Sequence, residues 1–449
     1  MVVGDTTFID FTYECKGLEN LWGVFFVKSL YSWYPANGYN DKATFDVRFS
    51  CGEDYEVVAC GKLLETNKAN GRTVTKWKLD YPAPIYSFNI GIFDKSVRSN
   101  EGLPTVTTFI SKNIPHKDLA MLFAALGELS NANMADQVAI DVCNSLNYFT
   151  YLFGPCPFEE IRATEIPWSF GQGSPGQIYL SWLTFQFGDM AGSQAQFRAH
   201  EVSHQWWGHI VDSESYRDYW IIEGLAEYSG FIYFQALCHD PKLWESILDD
   251  WRRYIGSGSG GGSMGTKAGP VTLGYRLNSS KSDDYQAVCY AKAAYIFHML
   301  RYLMHDYNND SDDRFIGFLR DLLDKYGDTP ITTEGLRSLL EEDTQTDLSW
   351  FFNQWVYGID MPTYDFSYKS SKTPEGKYQV VCHVKQHDVP DGFMMIVPLK
   401  VIFENGQFAQ LKTWVDQPDQ DITLPLLPLE PKKIEFNTCG AVLCQVNYK

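Results

Sequence analysis

The period of the apolar residues changes twice along this chain, and those two changes restrict its fold more than any other feature. Up to about residue 110 the apolar positions alternate, in ATFDVRFS, YEVVACGKLLE, TVTKWKLD and IYSFNIGIF, between stretches rich in Gly, Asn, Asp and Pro. Alternation puts every second side chain on one face of a strand, so this part reads as an antiparallel β domain. From His116 the spacing becomes helical, through DLAMLFAALGELSNANMADQVAIDVCNSLNYFTYLF with a break near Asn131 to Asn133, and it stays helical to about Tyr357. One strand-like run, QIYLSWLTFQF at 177–187, interrupts the helices behind the Gly- and Pro-rich FGQGSPG. After Pro362 period two returns, in KYQVVCHVKQ, MMIVPLKVIF and FAQLKTWV, and predicts a β-sandwich. The expected fold is multi-domain α+β: an N-terminal antiparallel β domain over 1–112, a mainly α domain over 113–360, and a C-terminal β-sandwich over 361–449.

At 449 residues the chain is too long for one hydrophobic core, and its 45 % hydrophobic content is that of a folded protein. The formal net charge of −19 argues against a nucleic-acid partner, which needs clustered Lys and Arg to displace counterions from phosphates. No apolar run approaches the length of about 18 residues that a transmembrane helix requires. The start, MVVGDTTFIDFTYEC, lacks the basic and apolar stretches of a signal peptide, so a cytoplasmic protein is expected. Ten cysteines are scattered without a Cys-x-x-Cys pair, which favours buried thiols over a cysteine zinc knuckle or disulfides. Gly256 to Ser263, GSGSGGGS, reads as a flexible coil resembling an engineered linker, and no function is assigned to it.

The chemistry concentrates in RAHEVSHQWWGHIVDSESYRDYWIIEGLAEYSG, which starts at Arg198. Residues four apart share one helix face, so His200 and His204 can offer two imidazole nitrogens to a single ion. Glu201 between them is placed to accept a proton from water beside that ion. Glu223 lies on a second expected helix and supplies a third ligand. Two His and one Glu leave the fourth tetrahedral position of a zinc ion open, as in catalytic sites. Glu227, one turn after Glu223, is placed to hold the ring N–H of a ligating histidine. The competing reading, two imidazoles on an ordinary solvated helix face, leaves the placement of Glu223 unexplained. His209 falls off the ligand face and reads as polar packing.

HEVSHQWWGH, the eighteen-residue gap and WIIEGLAEY together resemble the gluzincin aminopeptidases, the family of the alanyl and puromycin-sensitive aminopeptidases and the leukotriene hydrolase. The resemblance implies a thermolysin-like catalytic domain, one Zn2+ per chain on His200, His204 and Glu223, Glu201 as general base, and a peptide substrate. SDDYQAVCYAKAAYIFHML is similar to the family's Tyr-x-Lys-Gly helix and implies Tyr290 as the donor to the developing oxyanion, with Ala293 where the family has Gly. By its spacing alone, Tyr290 belongs to an aromatic stripe with Tyr285, Tyr295, Phe297 and Tyr302, which reads as core. TTEGLRSLLEEDTQTDLSWFFNQWVYGIDMP resembles the close of the family's catalytic domain, and SWYPANGYNDKATFDVRF, more loosely, part of its N-terminal β domain. The front is short for the family, so residues 1–112 are read as a partial domain.

One departure concerns specificity. The family's Gly-x-Met-Glu-Asn segment, whose Glu anchors the substrate's free α-amine, aligns on Pro175 and Gly176 with Gln172, Gly173 and Ser174, and Gly173 stands at the Glu position. The implied activity is a zinc peptidase acting on peptide N-termini. Because of Gly173, a zinc endopeptidase or another amide or epoxide hydrolase stays open, as does a non-catalytic scaffold on a peptidase fold.

Overall fold

Backbone pairing follows the alternation of the first hundred residues. The computed structural model describes residues 8–28, 33–36, 41–125, 134–186, 193–257, 264–276 and 284–449. The chain divides into two units, residues 1–147 with 156–188, and residues 148–155 with 189–449. The expected helix break at Asn131 to Asn133 and most of the glycine-rich run lie outside the described residues.

Among the described residues, the first unit holds three sheets. One is ordered Leu18–Leu21, Val24–Val27, Phe88–Gly91, Glu56–Ala59, and another Ala43–Gly52, Arg72–Ala83, Lys62–Ala69; all their pairs are antiparallel. Trp77, Tyr86 and Phe88 are among the residues of the core between their strands. The third is ordered Gln172–Ser174, Gln177–Ser181, Glu160–Ile166, Thr105–Ser111, Phe93–Arg98, and its central pairs are parallel. Helix α1, His116–Ala125, and the start of α2, Ala135–Phe153, follow its fourth strand in sequence.

Two segments differ from the reading of the sequence. Glu160–Ile166 lies within the stretch read as helical, yet it is a central strand with six of its seven residues buried. Its charges concealed it: Arg162 is buried, paired with Glu160 and donating to the Gly61 carbonyl at 2.7 Å, and Glu165 accepts from the Ser111 amide at 2.9 Å. Satisfied charges can occupy a buried strand, but they erase the apolar pattern that announces one. Among the described residues of QIYLSWLTFQF, only Gln177–Ser181 is strand. Ser181 Oγ then accepts from the Leu183 amide at 3.2 Å and turns Trp182–Phe185 into a 3-10 helix.

The second unit carries α3 (Ser193–Ser203), α4 (Tyr219–Leu237), α5 (Pro241–Ser257), a π-helical turn Gln286–Lys292 running directly into α6 (Ala293–Met304), then α7 (Asp313–Tyr326) and α8 (Thr333–Thr344). Helix α4 is apolar nearly all round and buried along most of its length, so it forms the centre of this unit. Two glycines let its neighbours approach. A Cβ on Gly230 would stand 2.6 Å from the Gln196 carbonyl of α3, and one on Gly224 would stand 2.9 Å from Ala293 Cβ of α6.

The C-terminal part is a sandwich of a four-stranded sheet, Asp419–Thr423, Tyr378–His387, Thr363–Lys372, Gln445–Tyr448, and a three-stranded one, Phe408–Val415, Met395–Phe403, Pro431–Phe436. Phe436 of one sheet stacks on Phe366 of the other with ring centres 4.8 Å apart. Among the described residues no helix is long and apolar enough to cross a membrane.

Candidate metal centre

Helix α3 presents His200 and His204 on one face, with their Nε2 atoms 3.2 Å apart. Helix α4 crosses it where Gly230 permits, and brings Glu223 Oε2 to 3.5 Å from His200 Nε2 and 3.7 Å from His204 Nε2. Glu201 completes a cluster in which one donor atom each from His200, Glu201 and His204 lies within 4.8 Å of the others. These four side chains are buried, and both Glu201 Oε2 and Glu223 Oε2 lack a hydrogen-bond partner.

The outer ring nitrogens are turned away from the cluster. His204 Nδ1 stands 2.9 Å from the Trp207 carbonyl; a carbonyl only accepts, so Nδ1 carries the proton and Nε2 keeps its lone pair. His200 Nδ1 stands 2.9 Å from Glu227 Oε2, and Gln196 Nε2 donates to Glu227 Oε1 at 2.9 Å. Glu227 thus holds a ring nitrogen while α3 itself holds Glu227. His209 is buried outside this cluster.

The charges are tuned by burial and by one another. Burial pushes the Glu201 carboxyl up to about 8, helped by Glu223 and Glu227 and opposed by His200. Burial works in the same direction on Glu223, yet His200 and His204 hold it down at about 2. His204 is lowered by burial, whereas on His200 Glu223 and Glu227 overcome burial and raise it well above the ordinary value. Glu223 is therefore a committed anion and Glu201 a carboxyl poised to exchange a proton near neutrality.

The donor set fits a zinc ion. Two nitrogens bound at about 2.0–2.1 Å in a tetrahedral site stand about 3.3 Å apart, close to the spacing of the two Nε2 atoms. The buried Glu223 Oε2 lies 3.5 and 3.7 Å from the same two nitrogens, and a buried carboxylate is costly unless a cation or proton meets it.

Tyr290 reaches this cluster from the π-helical turn. Its ring stacks on His200 with centres 5.9 Å apart and planes at 25°, and Tyr285 meets it edge-on at 5.5 Å. The aromatic stripe therefore divides: Tyr295 and Phe297 are fully buried in the core, while Tyr290 is half-buried beside an imidazole. Gln172, Gly173 and Ser174 form the edge strand of the five-stranded sheet in the first unit, and the histidine cluster belongs to the second. Of the nearby carboxylates, Glu160 is paired with Arg162 and Glu165 stands 3.3 Å from His116 Nε2. Sequence reasoning missed Gln196 and the Trp207 carbonyl. Both act through contacts between turns and helices that no local spacing encodes.

Two histidines a turn apart, a glutamate between them and another from the adjoining helix define a site of the His-Glu-x-x-His plus Glu class. Residues 188–355 match the Peptidase family M1 domain. It is similar to the puromycin-sensitive aminopeptidase of Caenorhabditis elegans, 23 % identical over 43 % of this chain and 19 % of the relative. Aminopeptidase M1-C of Oryza sativa is 23 % identical over 52 % of this chain and 26 % of the relative. Among solved structures, aminopeptidase A of Legionella pneumophila in complex with aspartic acid superposes with a TM-score of 0.69 at 16 % identity, covering 96 % of this chain and 48 % of that one. The chain thus spans about a quarter or less of these curated relatives and about half of the solved one.

Proposed function

We propose that the protein is a zinc-dependent peptidase that binds one Zn2+ through His200, His204 and Glu223 and cleaves peptides at their N-termini. One observation carries the reading. Two imidazole nitrogens 3.2 Å apart and a buried carboxylate oxygen 3.5 and 3.7 Å from them converge beside a phenol ring. When bound, the ion supplies Lewis acidity at an open coordination position.

The remaining steps belong to the side chains. Glu201 takes a proton from the attacking water and passes it to the departing amine. Tyr290 donates to the carbonyl oxygen as it gains charge. Glu227 keeps His200 oriented so that Nε2 faces the cluster.

Gly173 favours a second reading, cleavage within the chain, since no carboxylate stands at that position to receive an ammonium. Hydrolysis of paired free and N-acetylated peptides, each with and without a chelator, separates the readings. Chelator-sensitive cleavage of free peptides alone supports the aminopeptidase. Equal cleavage of blocked peptides would replace it with the endopeptidase, and chelator-resistant cleavage would remove the metal.

A further inference from the structure

Lys292 is 1 % exposed, and a lysine is seldom buried so completely without an acidic partner. Here its Nζ donates to the Gly358 carbonyl at 2.7 Å and to Thr266 Oγ1 at 3.2 Å, two neutral acceptors. Thr266 Oγ1 in turn donates to the Ile359 carbonyl at 3.1 Å, so the lysine sits where two backbone segments converge. Burial draws its ammonium down to about 7, against the influence of Asp360, and even the neutral amine retains two N–H donors for the two acceptors.

Two residues before the same π-helical turn, Asp284 Oδ1 accepts from the amides of Met264 at 2.6 Å and Gly265 at 2.8 Å. Asp284 and Lys292 therefore grip one short segment, Met264 to Thr266, from just before and from the end of the turn that carries Tyr290. A π-turn is an uncommon, widened arrangement inserted into a helix, and such insertions concentrate at functional sites.

We infer that Lys292 is a positioning residue for Tyr290: with Asp284 it brackets the π-helical turn against Met264–Thr266 and holds the phenol ring against His200. The inference rests on the reading of Tyr290 as the oxyanion donor. The hydrogen bonds of the Lys292 ammonium go to Gly358 and Thr266, away from His200, His204 and Glu223.

A double-mutant cycle tests this, with kcat and KM measured for wild type, Lys292→Met, Tyr290→Phe and the double variant. Lys292→Met is expected to lower kcat about 30-fold with KM within about 2-fold, because a displacement of about 1 Å costs a positioned group up to about 100-fold. In the Tyr290→Phe background the same substitution is expected to cost less than about 3-fold, since the group it positions is already gone. An equal loss in both backgrounds, or no loss in the first, overturns the inference. Thr266→Val removes one acceptor with less disturbance, and it is expected to follow the same non-additive pattern if Lys292→Met does not fold. A crystal structure of the variant separates this inference from the functional reading. A phenol still stacked on His200 sinks the bracket whatever the activity, whereas a displaced phenol beside an inactive wild type sinks the functional reading alone.

Discussion

Glu201 and Glu223 are chemically identical side chains buried in one cluster, and their neighbours drive them apart. Glu223 is held as an anion by two imidazoles, while Glu201 is raised by burial and by the other carboxylates. Glu201→Gln keeps size and hydrogen-bonding capacity but loses the proton acceptor. It is expected to retain one zinc per chain by mass spectrometry and to lose about 10^3-fold in kcat, within the range general-base catalysis supplies. His298 makes a different prediction, about stability. Burial, with Arg301 nearby, lowers it to about 3, and its ring nitrogens face Tyr228 Oη and the Cys439 carbonyl. Its folded value lies below the ordinary 6.5, so the stability it carries is present above that pH and is lost as pH falls toward 3. Urea midpoints should fall below pH 6.5, and His298→Phe should flatten that limb; an unchanged slope would show that other groups govern it. At this scale the pairings of His200 with His204 and of Glu223 with Glu227 were legible, because one-turn spacing places each pair on one helix face. The Trp207 carbonyl, Gln196 and Lys292 were not, because their roles depend on which backbone atom a turn brings near.

Two helix pairs set the geometry of the cluster, and small residues set the helix pairs. Gly230→Ala would place a Cβ 2.6 Å from the Gln196 carbonyl, a contact only backbone movement relieves. The shift would separate His200 from Glu223, so this substitution should cost about 1–3 kcal/mol of stability and weaken zinc binding. Unchanged metal affinity by competition with a chromophoric chelator would contradict that coupling. Glycines in WIIEGLAEYSG are visible in the sequence, but their partners are not, since helix propensity alone marks them as unfavourable. The strand Glu160–Ile166 illustrates the opposite difficulty. Period two was present in EIRATEI, yet its buried positions carry charge, and only the partners of Arg162 and Glu165 explain how.

Over the whole molecule the two changes of apolar period forecast the sequence of architectures, sheets, then helices, then a sandwich. They did not forecast the parallel pairing at the centre of the five-stranded sheet, which depends on strands distant in sequence. The proposed ion joins α3 to α4, two helices at the centre of the second unit, so its binding free energy adds to the stability of that unit. Chelation should lower the melting temperature of the wild type and leave His204→Ala unchanged; equal shifts in both would place the metal elsewhere. The most direct measurement is anomalous diffraction at the zinc edge from crystals of the protein. A single peak about 2.0–2.1 Å from the Nε2 atoms of His200 and His204 and from a carboxylate oxygen of Glu223 is the expected result. No peak there, or a peak held by other residues, would contradict it.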